Sequence, residues 1–314
     1  MKRSLFDTHC DTAYELYHRD QHLDENTCDV SLTNAAVYER YAQYYAIWSN
    51  KRLDDEACWQ DFLKISDRFA AELTALSDKA LGVRSGDDLQ LAIATGRHAA
   101  ILAVEDARLL AGKLERLDEL KARGVKYLTL LWGGDTCIGG SHDTHHGLTG
   151  FGKAVVRGCF ERGIVPDVSH ASEQSTDDVL QIAFDCGKPI IASHSNAYGL
   201  WPHSRNLRDR HLADIRSLGG VVGVSLCPSH LKDESTGPAT AETVFEHVDY
   251  YLAHDAGDMV GFGSDWDGTS LPVGMTNVAS LQAVADMMAA HNYSDALIDK
   301  IFWGNMYHFA MKNL

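Results

Sequence analysis

The sequence predicts an α/β fold in which residues 1–314 form a single (β/α)8 (TIM) barrel domain. Short apolar runs alternate along the chain with longer amphipathic stretches, a pattern that is typical of parallel βα units. Eight such runs are present, and this number favours a closed barrel over an open sheet. A chain of 314 residues could hold two domains, but barrels of this length routinely form one.

The eight predicted strands cover residues 4–9, 43–48, 99–104, 125–132, 164–169, 189–193, 220–226 and 259–264. The predicted helices between them include residues 56–77, 112–123, 151–162, 175–186 and 241–256. The run at 43–48 leaves an alternative open, because its tyrosine-rich composition would also fit a helix.

The charge of the chain excludes some classes of partner. Asp and Glu number 44 against 28 Lys and Arg, which gives a formal net charge of −16 at pH 7. Such a charge repels phosphate backbones and acidic membrane surfaces, so we expect neither nucleic acid nor a membrane as a partner. The oligomeric state stays open at this stage, with a homodimer as one option.

The expected location is the cytoplasm. The amino-terminal residues carry charged groups without the apolar core of a signal peptide, and no uncharged apolar run is long enough to span a membrane. The seven cysteines are scattered singly, without CxxC spacing. This distribution is typical of free thiols in a reducing compartment.

Residues that can bind metals or transfer protons follow five of the predicted strands, always at the carboxyl end. They are His9 and Asp11 after the first strand, Glu105 after the third, His170 after the fifth, His194 after the sixth and Asp265 after the eighth. Barrel enzymes build their active sites at this end. The needs of folding alone do not explain such a set, so we predict a barrel of the metal-dependent hydrolase type.

His9 and Asp11 form a His-x-Asp pair. Residues two apart on a strand point to the same side, so both side chains can reach one metal ion on the barrel axis. Imidazole and carboxylate ligands suit zinc or a similar divalent ion. The pair alone fits a buried histidine bonded to an aspartate equally well, because the pattern is short and common.

Glu105 ends an apolar strand, where a charge is costly unless it is paired or metal-bound. Its two oxygens could bridge two cations, and a salt bridge to Arg108 is the alternative. His170 and His194 each follow a serine at the end of an apolar strand and could share a second metal ion. Histidines bonded to backbone are the alternative, but recurrence on successive strands favours a metal.

Asp265 is a candidate general acid or base, whereas shaping of the loop is the alternative for it and for Asp267. Arg205 offers a rigid fork for a substrate carboxylate, and a surface arginine paired near Asp209 is the alternative. The histidine-rich loop at 141–146 could be a lid or an ion site, but its composition favours a solvated loop.

The ordered set of motifs resembles the renal (membrane) dipeptidase family. The matching segments are DTHCD at 7–11, VED at 104–106, YLTLLW at 127–132, GLTGFG at 147–152, DVSHAS at 167–172, SHSNA at 193–197, SRN at 204–206 and GFGSDWDG at 261–268. They run in order over nearly the entire chain. Each motif is weak alone, whereas the ordered set is highly specific.

The resemblance implies a (β/α)8 barrel that holds two zinc ions per chain. The implied ligands are His9 and Asp11 for one ion, His170 and His194 for the other, and Glu105 as the bridge between them.

The resemblance also implies the reaction. A metal-bridging hydroxide would attack the amide carbonyl of a dipeptide, with Glu105 and Asp265 as catalytic residues and Asp265 as the proton shuttle. Arg205 would hold the free carboxylate of the substrate. The family accepts dipeptides that carry an L- or a D-residue at the carboxyl-terminal position.

The chain departs from the mammalian members of the family in three ways. Trp132 replaces a substrate-contacting histidine near the end of the fourth strand, and we expect it to contact substrate instead. Cys227 replaces a tyrosine after the seventh strand. Secretion and lipid-anchor signals are absent, as expected of a bacterial, cytoplasmic member. These departures leave the metal site intact but leave substrate range and oxyanion stabilisation open.

Two other functions stay open from the sequence. One is hydrolysis of another small amide or cyclic amide on the same two-metal barrel, which would not require a free carboxylate on the substrate. The other is a catalytically inactive metal-binding protein, which the changes at Trp132 and Cys227 would permit. A complete ligand set with an acid/base residue favours an enzyme.

Overall fold

The computed structural model describes residues 2–314 and contains nine strands, all paired in parallel. The strands are β1 (Leu5–Cys10), β2 (Tyr41–Trp48), β3 (Ala80–Val83), β4 (His98–Glu105), β5 (Val125–Thr129), β6 (Val165–Asp167), β7 (Ile191–Ala192), β8 (Val221–Val224) and β9 (Val260–Phe262).

Eight of these strands close a barrel in the order β1-β2-β4-β5-β6-β7-β8-β9. The closure is made where β9 pairs with β1, with Asp7 opposite Phe262. The longest pairing joins β2 to β4, from Ala42 opposite Ala99 to Trp48 opposite Glu105. The predicted (β/α)8 barrel is therefore confirmed, and the tyrosine-rich run at 43–48 is a strand.

Strand β3 is a ninth strand that the sequence analysis missed. It pairs with His98–Ile101, the first half of β4, and β5 pairs with the second half from Leu102 onward. The strand has only four residues, one of them Gly82, and lies between two helices. Such a short segment carries no alternation that a pattern search could detect.

Thirteen α-helices surround the barrel in the part of the chain that the structure describes. They are α1 (Thr12–Arg19), α2 (Leu32–Ala35), α3 (Asp55–Ala75), α4 (Gly86–Ala94), α5 (Arg116–Arg123), α6 (Gly150–Arg162), α7 (Glu173–Cys186), α8 (Asp209–Ser217), α9 (Pro228–Leu231), α10 (Ala241–Ala253), α11 (Gln282–Ala290), α12 (Asp295–Asp299) and α13 (Asn305–Asn313). None of the helices among residues 2–314 is both long and apolar enough to cross a membrane.

The five predicted helices are all present, with ends displaced by a few residues. The largest change is at α5, which begins at Arg116 rather than at 112, because Ala111 and Gly112 have a left-handed backbone with φ 49° and 73°. Side-chain caps set several amino-terminal ends; for example, Thr149 accepts a hydrogen bond from the backbone N–H of Gly152 at the start of α6.

Both faces of the barrel wall are covered, so its strands are apolar along most of their length. Every residue of β1 is buried, and so are seven of the eight residues of β4. All strands run in the same direction, so their carboxyl ends meet at one rim. The loops at that rim carry the polar residues singled out in the sequence.

The barrel allows no side chain at Gly263. A Cβ atom there would overlap the carbonyl oxygen of Ser193 and lie 2.7 Å from Thr8 Oγ1. We expect Gly263→Ala to lower the free energy of unfolding by about 1–3 kcal/mol, because packed backbone must move apart. Urea unfolding would measure this. The matched control is Gly150→Ala, where a Cβ would meet nothing within 4 Å; equal loss in both variants would contradict the explanation.

Candidate active site

The six residues predicted at the strand ends converge on the barrel axis around Glu105. Its Oε1 atom lies 3.0 Å from His170 Nε2, 3.3 Å from His194 Nε2 and 3.8 Å from His9 Nε2. Four strands, namely β1, β4, β6 and β7, or the residues just after them, supply these side chains. One carboxylate oxygen is therefore surrounded by three imidazole nitrogens.

A second group of three residues shares His9 with the first. His9 Nε2 lies 3.8 Å from Asp11 Oδ2 and 3.7 Å from Asp265 Oδ1. The groups His9–Glu105–His194 and His9–Asp11–Asp265 each bring their ligand atoms close enough together to hold one metal ion. Nitrogen and carboxylate ligands in this mixture suit zinc and similar divalent ions.

The hydrogen bonds of His9 leave its Nε2 atom as a free acceptor. The hydroxyl of Tyr127 donates to the carbonyl oxygen of Thr8 at 2.9 Å and lies 2.8 Å from His9 Nδ1. Because the hydroxyl proton is used, Nδ1 must carry the imidazole proton and donate it to Tyr127. The lone pair of Nε2 then faces the carboxylates, as a metal ligand requires.

His170 and His194 also carry the imidazole proton on Nδ1 and the lone pair on Nε2. His170 Nδ1 donates to the carbonyl oxygen of Trp132 at 3.0 Å. His194 Nδ1 lies 2.7 Å from Ser193 Oγ, whose own proton is donated to Asp167. The two Nε2 atoms then face each other as acceptors at 3.0 Å. Two facing lone pairs repel, and a cation between them removes the repulsion.

Two buried atoms of the cluster have no hydrogen-bond partner among the described residues, namely His9 Nε2 and Asp11 Oδ1. Burial of a polar atom without a partner is unfavourable. Coordination to a divalent cation would satisfy both atoms and offset the excess of carboxylates. The residues present therefore fit a metal centre.

Burial is the main influence on the pKa values of the carboxyl groups. It raises the pKa of Asp265 to about 7, with His9 opposing and Asp11 adding to the effect. It raises the pKa of Asp11 to about 8, helped by Asp267 and Glu15. The pKa of Glu105 is raised well above its usual range by burial and then by Asp11.

Burial also lowers the pKa of His170 and of His194 well below the usual value. Both rings are therefore neutral near pH 7. Neutral imidazole is the form that binds metals.

Asp7 supports the cluster from beneath and was missed as a site residue by the sequence analysis. Its Oδ1 atom accepts hydrogen bonds from the backbone N–H of His9 and from Gln43 Nε2, and both its oxygens accept from the N–H of Ser264. The same carboxylate accepts a hydrogen bond from the Ser264 hydroxyl. Asp7 thus joins the end of β1 to the segment that carries Asp265.

Asp167 has the equivalent role on the other side of the barrel. It accepts hydrogen bonds from the backbone N–H groups of Ser169 and Ser193 and from the hydroxyls of Ser193 and Thr129. The backbone before both His170 and His194 is held by this one carboxylate. A sequence signal exists for both supporting aspartates. Asp7 stands two residues before His9, and Asp167 stands two residues before the Ser169-His170 pair.

Two residues of the cluster have a left-handed backbone, His170 with φ 67° and Asp265 with φ 65°. This conformation is unfavourable for residues other than glycine, although aspartate tolerates it better than most. Such strain persists where the surrounding structure imposes it and is common at functional sites.

A cavity of about 510 Å³ opens over the cluster. Glu105, Asp11, His170 and Asp265 form its floor, and Trp132 lies in its wall with the indole ring stacked 6.0 Å from the His170 ring. Other lining residues include Tyr14, Trp48, Lys51, His142, Cys227 and His230. The volume suits a small molecule rather than a folded protein.

Arg205 is buried beside the cluster, with 4% of its surface exposed. Its Nη2 atom donates to the carbonyl oxygen of His194 at 3.0 Å and Nη1 donates to Ser195 Oγ at 3.2 Å, while Nε has no partner among the described residues. Arg205 lines an adjoining cavity of about 130 Å³, and His142 lines both cavities. It is therefore not a surface arginine.

The histidine-rich loop at 141–146 divides into two parts. His145 and His146 are exposed, as expected for a solvated loop. His142 is partly buried in the cavity wall, with Nδ1 3.3 Å from Ser204 Oγ and its ring 5.8 Å from that of His170. Local composition could not separate the two, because only the tertiary fold brings residue 142 over the strand ends.

The alternatives for Glu105 and Asp267 also have clear outcomes in the geometry. Arg108 forms salt bridges with Asp55 and Asp106 rather than with Glu105. Asp267 accepts hydrogen bonds from the backbone N–H of Asp29 and from the Thr12 hydroxyl. Asp267 therefore shapes the loop. Glu105 forms no salt bridge with Arg108 and interacts with the histidines of the cluster instead.

Comparison with known proteins gives a match over almost the whole chain. A family model described as membrane dipeptidase, peptidase family M19, matches residues 1–312. The dipeptidase tcpJ of Claviceps purpurea is 29% identical over 255 residues, which cover 80% of this chain and 59% of that relative. This chain thus spans less than two thirds of the length of that relative.

Two solved structures share the fold over their full length. One is the dipeptidase AC, a metallopeptidase of family M19, with a TM-score of 0.91, 26% identity and coverage of 100% of this chain and 99% of that one. The other is a metallopeptidase from Rhodobacter sphaeroides liganded with a phosphinate mimic of the dipeptide L-Ala-D-Ala, with a TM-score of 0.90, 26% identity and coverage of 100% of both chains.

The role of Asp167 can be tested through metal affinity. Asp167→Asn removes the acceptor for the Ser193 hydroxyl and so loosens the orientation of the His194 ring. We expect metal affinity to fall about 10–100-fold while the fold is kept. Competition with a chromophoric chelator would measure this, with circular dichroism as the check on folding. Asp185→Asn, at an exposed position of α7, is the control; equal affinity of the two variants would refute the role.

Proposed function

Because the chain belongs to the membrane dipeptidase family, peptidase family M19, and is a metallo-dipeptidase, we propose that it hydrolyses L-L and L-D dipeptides with two zinc ions. The observation that carries this proposal is the convergence of three imidazole nitrogens on Glu105 Oε1 at 3.0–3.8 Å. The L-Ala-D-Ala mimic bound to the Rhodobacter sphaeroides metallopeptidase supports the L-D part.

In this proposal the two ions have separate ligands and one shared ligand. His9 and Asp11 would hold one zinc ion, His170 and His194 would hold the other, and Glu105 would be the ligand shared by both. The central position of Glu105 and the unpartnered atoms of His9 and Asp11 support this assignment. When bound, the ions supply the Lewis acidity that activates water as the nucleophile and polarises the scissile carbonyl.

Asp265 is the proposed acid and base. Its carboxyl group lies at the cavity floor, 3.7 Å from His9 Nε2, and burial raises its pKa to about 7. A group with a pKa near the working pH can both accept and return a proton. Asp265 takes the proton of the attacking water and delivers it to the amine that leaves when the C–N bond breaks.

Arg205 is the proposed anchor for the free carboxylate of the substrate. Its guanidinium is buried beside His194, and its Nε has no partner in the part of the chain that the structure describes. A buried guanidinium binds a carboxylate with charge-assisted hydrogen bonds. A longer peptide places no carboxylate at this position, which accounts for a limit to dipeptides. Trp132 is proposed to contact the substrate from the cavity wall.

We further propose that the barrel is one domain and that the enzyme works in the cytoplasm. The family match over residues 1–312 supports the first point. All seven cysteines are free thiols, which favours a reducing compartment.

Metal content and hydrolysis should be measured together on the purified protein. We expect about two zinc ions per chain and cleavage of L-Ala-L-Ala and L-Ala-D-Ala, with activity lost on chelation and restored by zinc. L-Ala-L-Ala amide, which lacks the free carboxylate, is the matched control and should not be cleaved. Cleavage of the amide as fast as the acid would favour a different small-amide hydrolase.

Asp265→Asn tests the proton shuttle. The variant should keep both metal ions yet lose turnover by a factor on the order of 10² or more, because an amide cannot transfer the proton. Steady-state kinetics and elemental analysis would be run on the same sample. Asp143→Asn changes an exposed carboxylate of the same cavity and should turn over near the wild-type rate. Near-normal turnover of the Asp265 variant would remove this residue from the mechanism.

A further inference from the structure

Three aromatic side chains form a continuous row along one side of the 510 Å³ cavity. The ring centroids of Tyr14 and Trp48 are 5.7 Å apart, and those of Trp48 and Trp132 are 5.1 Å apart. The Trp132 ring then stacks 6.0 Å from His170. We call Tyr14, Trp48 and Trp132 the aromatic row. It reaches from helix α1 to the proposed metal centre.

The aromatic row is held in place by the fold. Trp48 is the last residue of β2 and pairs in register with Glu105. The Tyr14 hydroxyl accepts a hydrogen bond of 2.7 Å from Asn50 Nδ2. The backbone of Trp132 is fixed by its carbonyl oxygen, which accepts from His170. A rigid apolar surface binds an apolar group with little loss of conformational freedom.

The position of the row relative to Arg205 indicates which part of a dipeptide it meets. In the closed order of eight strands, β2 lies opposite β7. Arg205 lies in the segment between β7 and α8, and Trp48 ends β2. A dipeptide whose carboxylate is held at Arg205 therefore directs its amino-terminal residue across the metal centre toward the aromatic row. This step rests on the proposed function.

We propose that the aromatic row is the subsite for the amino-terminal side chain of the dipeptide and that it selects large apolar side chains, above all aromatic ones. Each methylene buried against such a surface favours binding about fourfold. Aromatic pairs in offset or edge-to-face contact gain further attraction.

Lys51 is the one lysine or arginine among the residues that line this cavity, and its ammonium lies 5.2 Å from the Trp132 ring centre. Its charge disfavours a lysine or arginine side chain of the substrate beside Trp132, whereas Glu15 and Asp143, which line the same cavity, carry the opposite charge. Lys51 is exposed, so an ion pair with an acidic substrate side chain would be weakened by water. Contact with the rings is therefore the larger contribution to selectivity.

The test compares three substrates, L-Phe-L-Ala, L-Ala-L-Ala and L-Ala-L-Phe, on the zinc-loaded enzyme. We expect wild-type kcat/KM for Phe-Ala to exceed that for Ala-Ala by about tenfold or more. Trp132→Leu and Trp48→Leu should each remove most of that ratio, because kcat/KM for Phe-Ala falls by more than kcat/KM for Ala-Ala. The main-chain carbonyl that holds His170 is kept in Trp132→Leu.

Trp303→Leu is the matched control. Trp303 is another partly buried tryptophan, but it packs on Phe6 and Tyr307 and lines a different cavity with Tyr41 and His98, at the beginnings of β2 and β4. The same substitution there should leave the Phe-Ala to Ala-Ala ratio unchanged. Zinc content of every variant is measured, so that a lost metal is not mistaken for lost selectivity.

Binding of two phosphinate dipeptide mimics, one with phenylalanine and one with alanine at the amino-terminal position, gives a readout without turnover. Calorimetry should show tighter binding of the phenylalanine mimic to wild type and loss of that preference in Trp132→Leu. The proposal would be overturned if the variants lost kcat/KM for Ala-Phe instead of Phe-Ala. It would also be overturned if both variants kept the wild-type ratio of kcat/KM for Phe-Ala to that for Ala-Ala. If wild type cleaves no dipeptide, the proposed function fails, and the binding preference still decides whether the aromatic row is a subsite.

Discussion

The structure depends on one constraint, the concentration of buried carboxylates and imidazoles around Glu105 at the carboxyl rim of the barrel. Acid groups in such a place are unfavourable unless a cation or a donor compensates them. The surrounding chain is arranged accordingly. The protons on Nδ1 of His9, His170 and His194 are committed to Tyr127, to the Trp132 carbonyl and to Ser193, and all three Nε2 atoms point inward. The hydrogen bonds of the Nδ1 atoms thus connect the barrel to the orientation of the three imidazole rings.

The barrel and its rim were predictable from the sequence because their signals are local. Apolar runs mark the strands, and a parallel sheet brings their carboxyl ends together without further information. Asp7 and Asp167 escaped the prediction because their role is defined by their donors, here Ser264 and Ser193, which follow the neighbouring strands β9 and β7 but are distant in sequence. His142 escaped because two exposed neighbours in the same loop share its composition.

The surroundings of Arg205 and of the aromatic row can be known only from the tertiary structure. The sequence shows an arginine in a loop, but not that its guanidinium is buried against the His194 carbonyl. Likewise the sequence shows Trp48 only as the end of an apolar strand, whereas its contact with Trp132 joins the end of β2 to the segment that follows β5. The proposed selectivity for substrates therefore rests on side chains other than the proposed metal ligands.

The left-handed backbone at His170 and Asp265 has a consequence for protein engineering. Glycine is the residue best suited to this conformation, so replacement by glycine would relieve strain at either position. The backbone strain at 170 would therefore be relieved only together with the loss of a proposed metal ligand, and a metal ion that binds the folded state alone contributes to its stability. At 265 the relief would come with the loss of the proposed proton shuttle, so engineering of a more stable enzyme should keep both side chains and improve other positions.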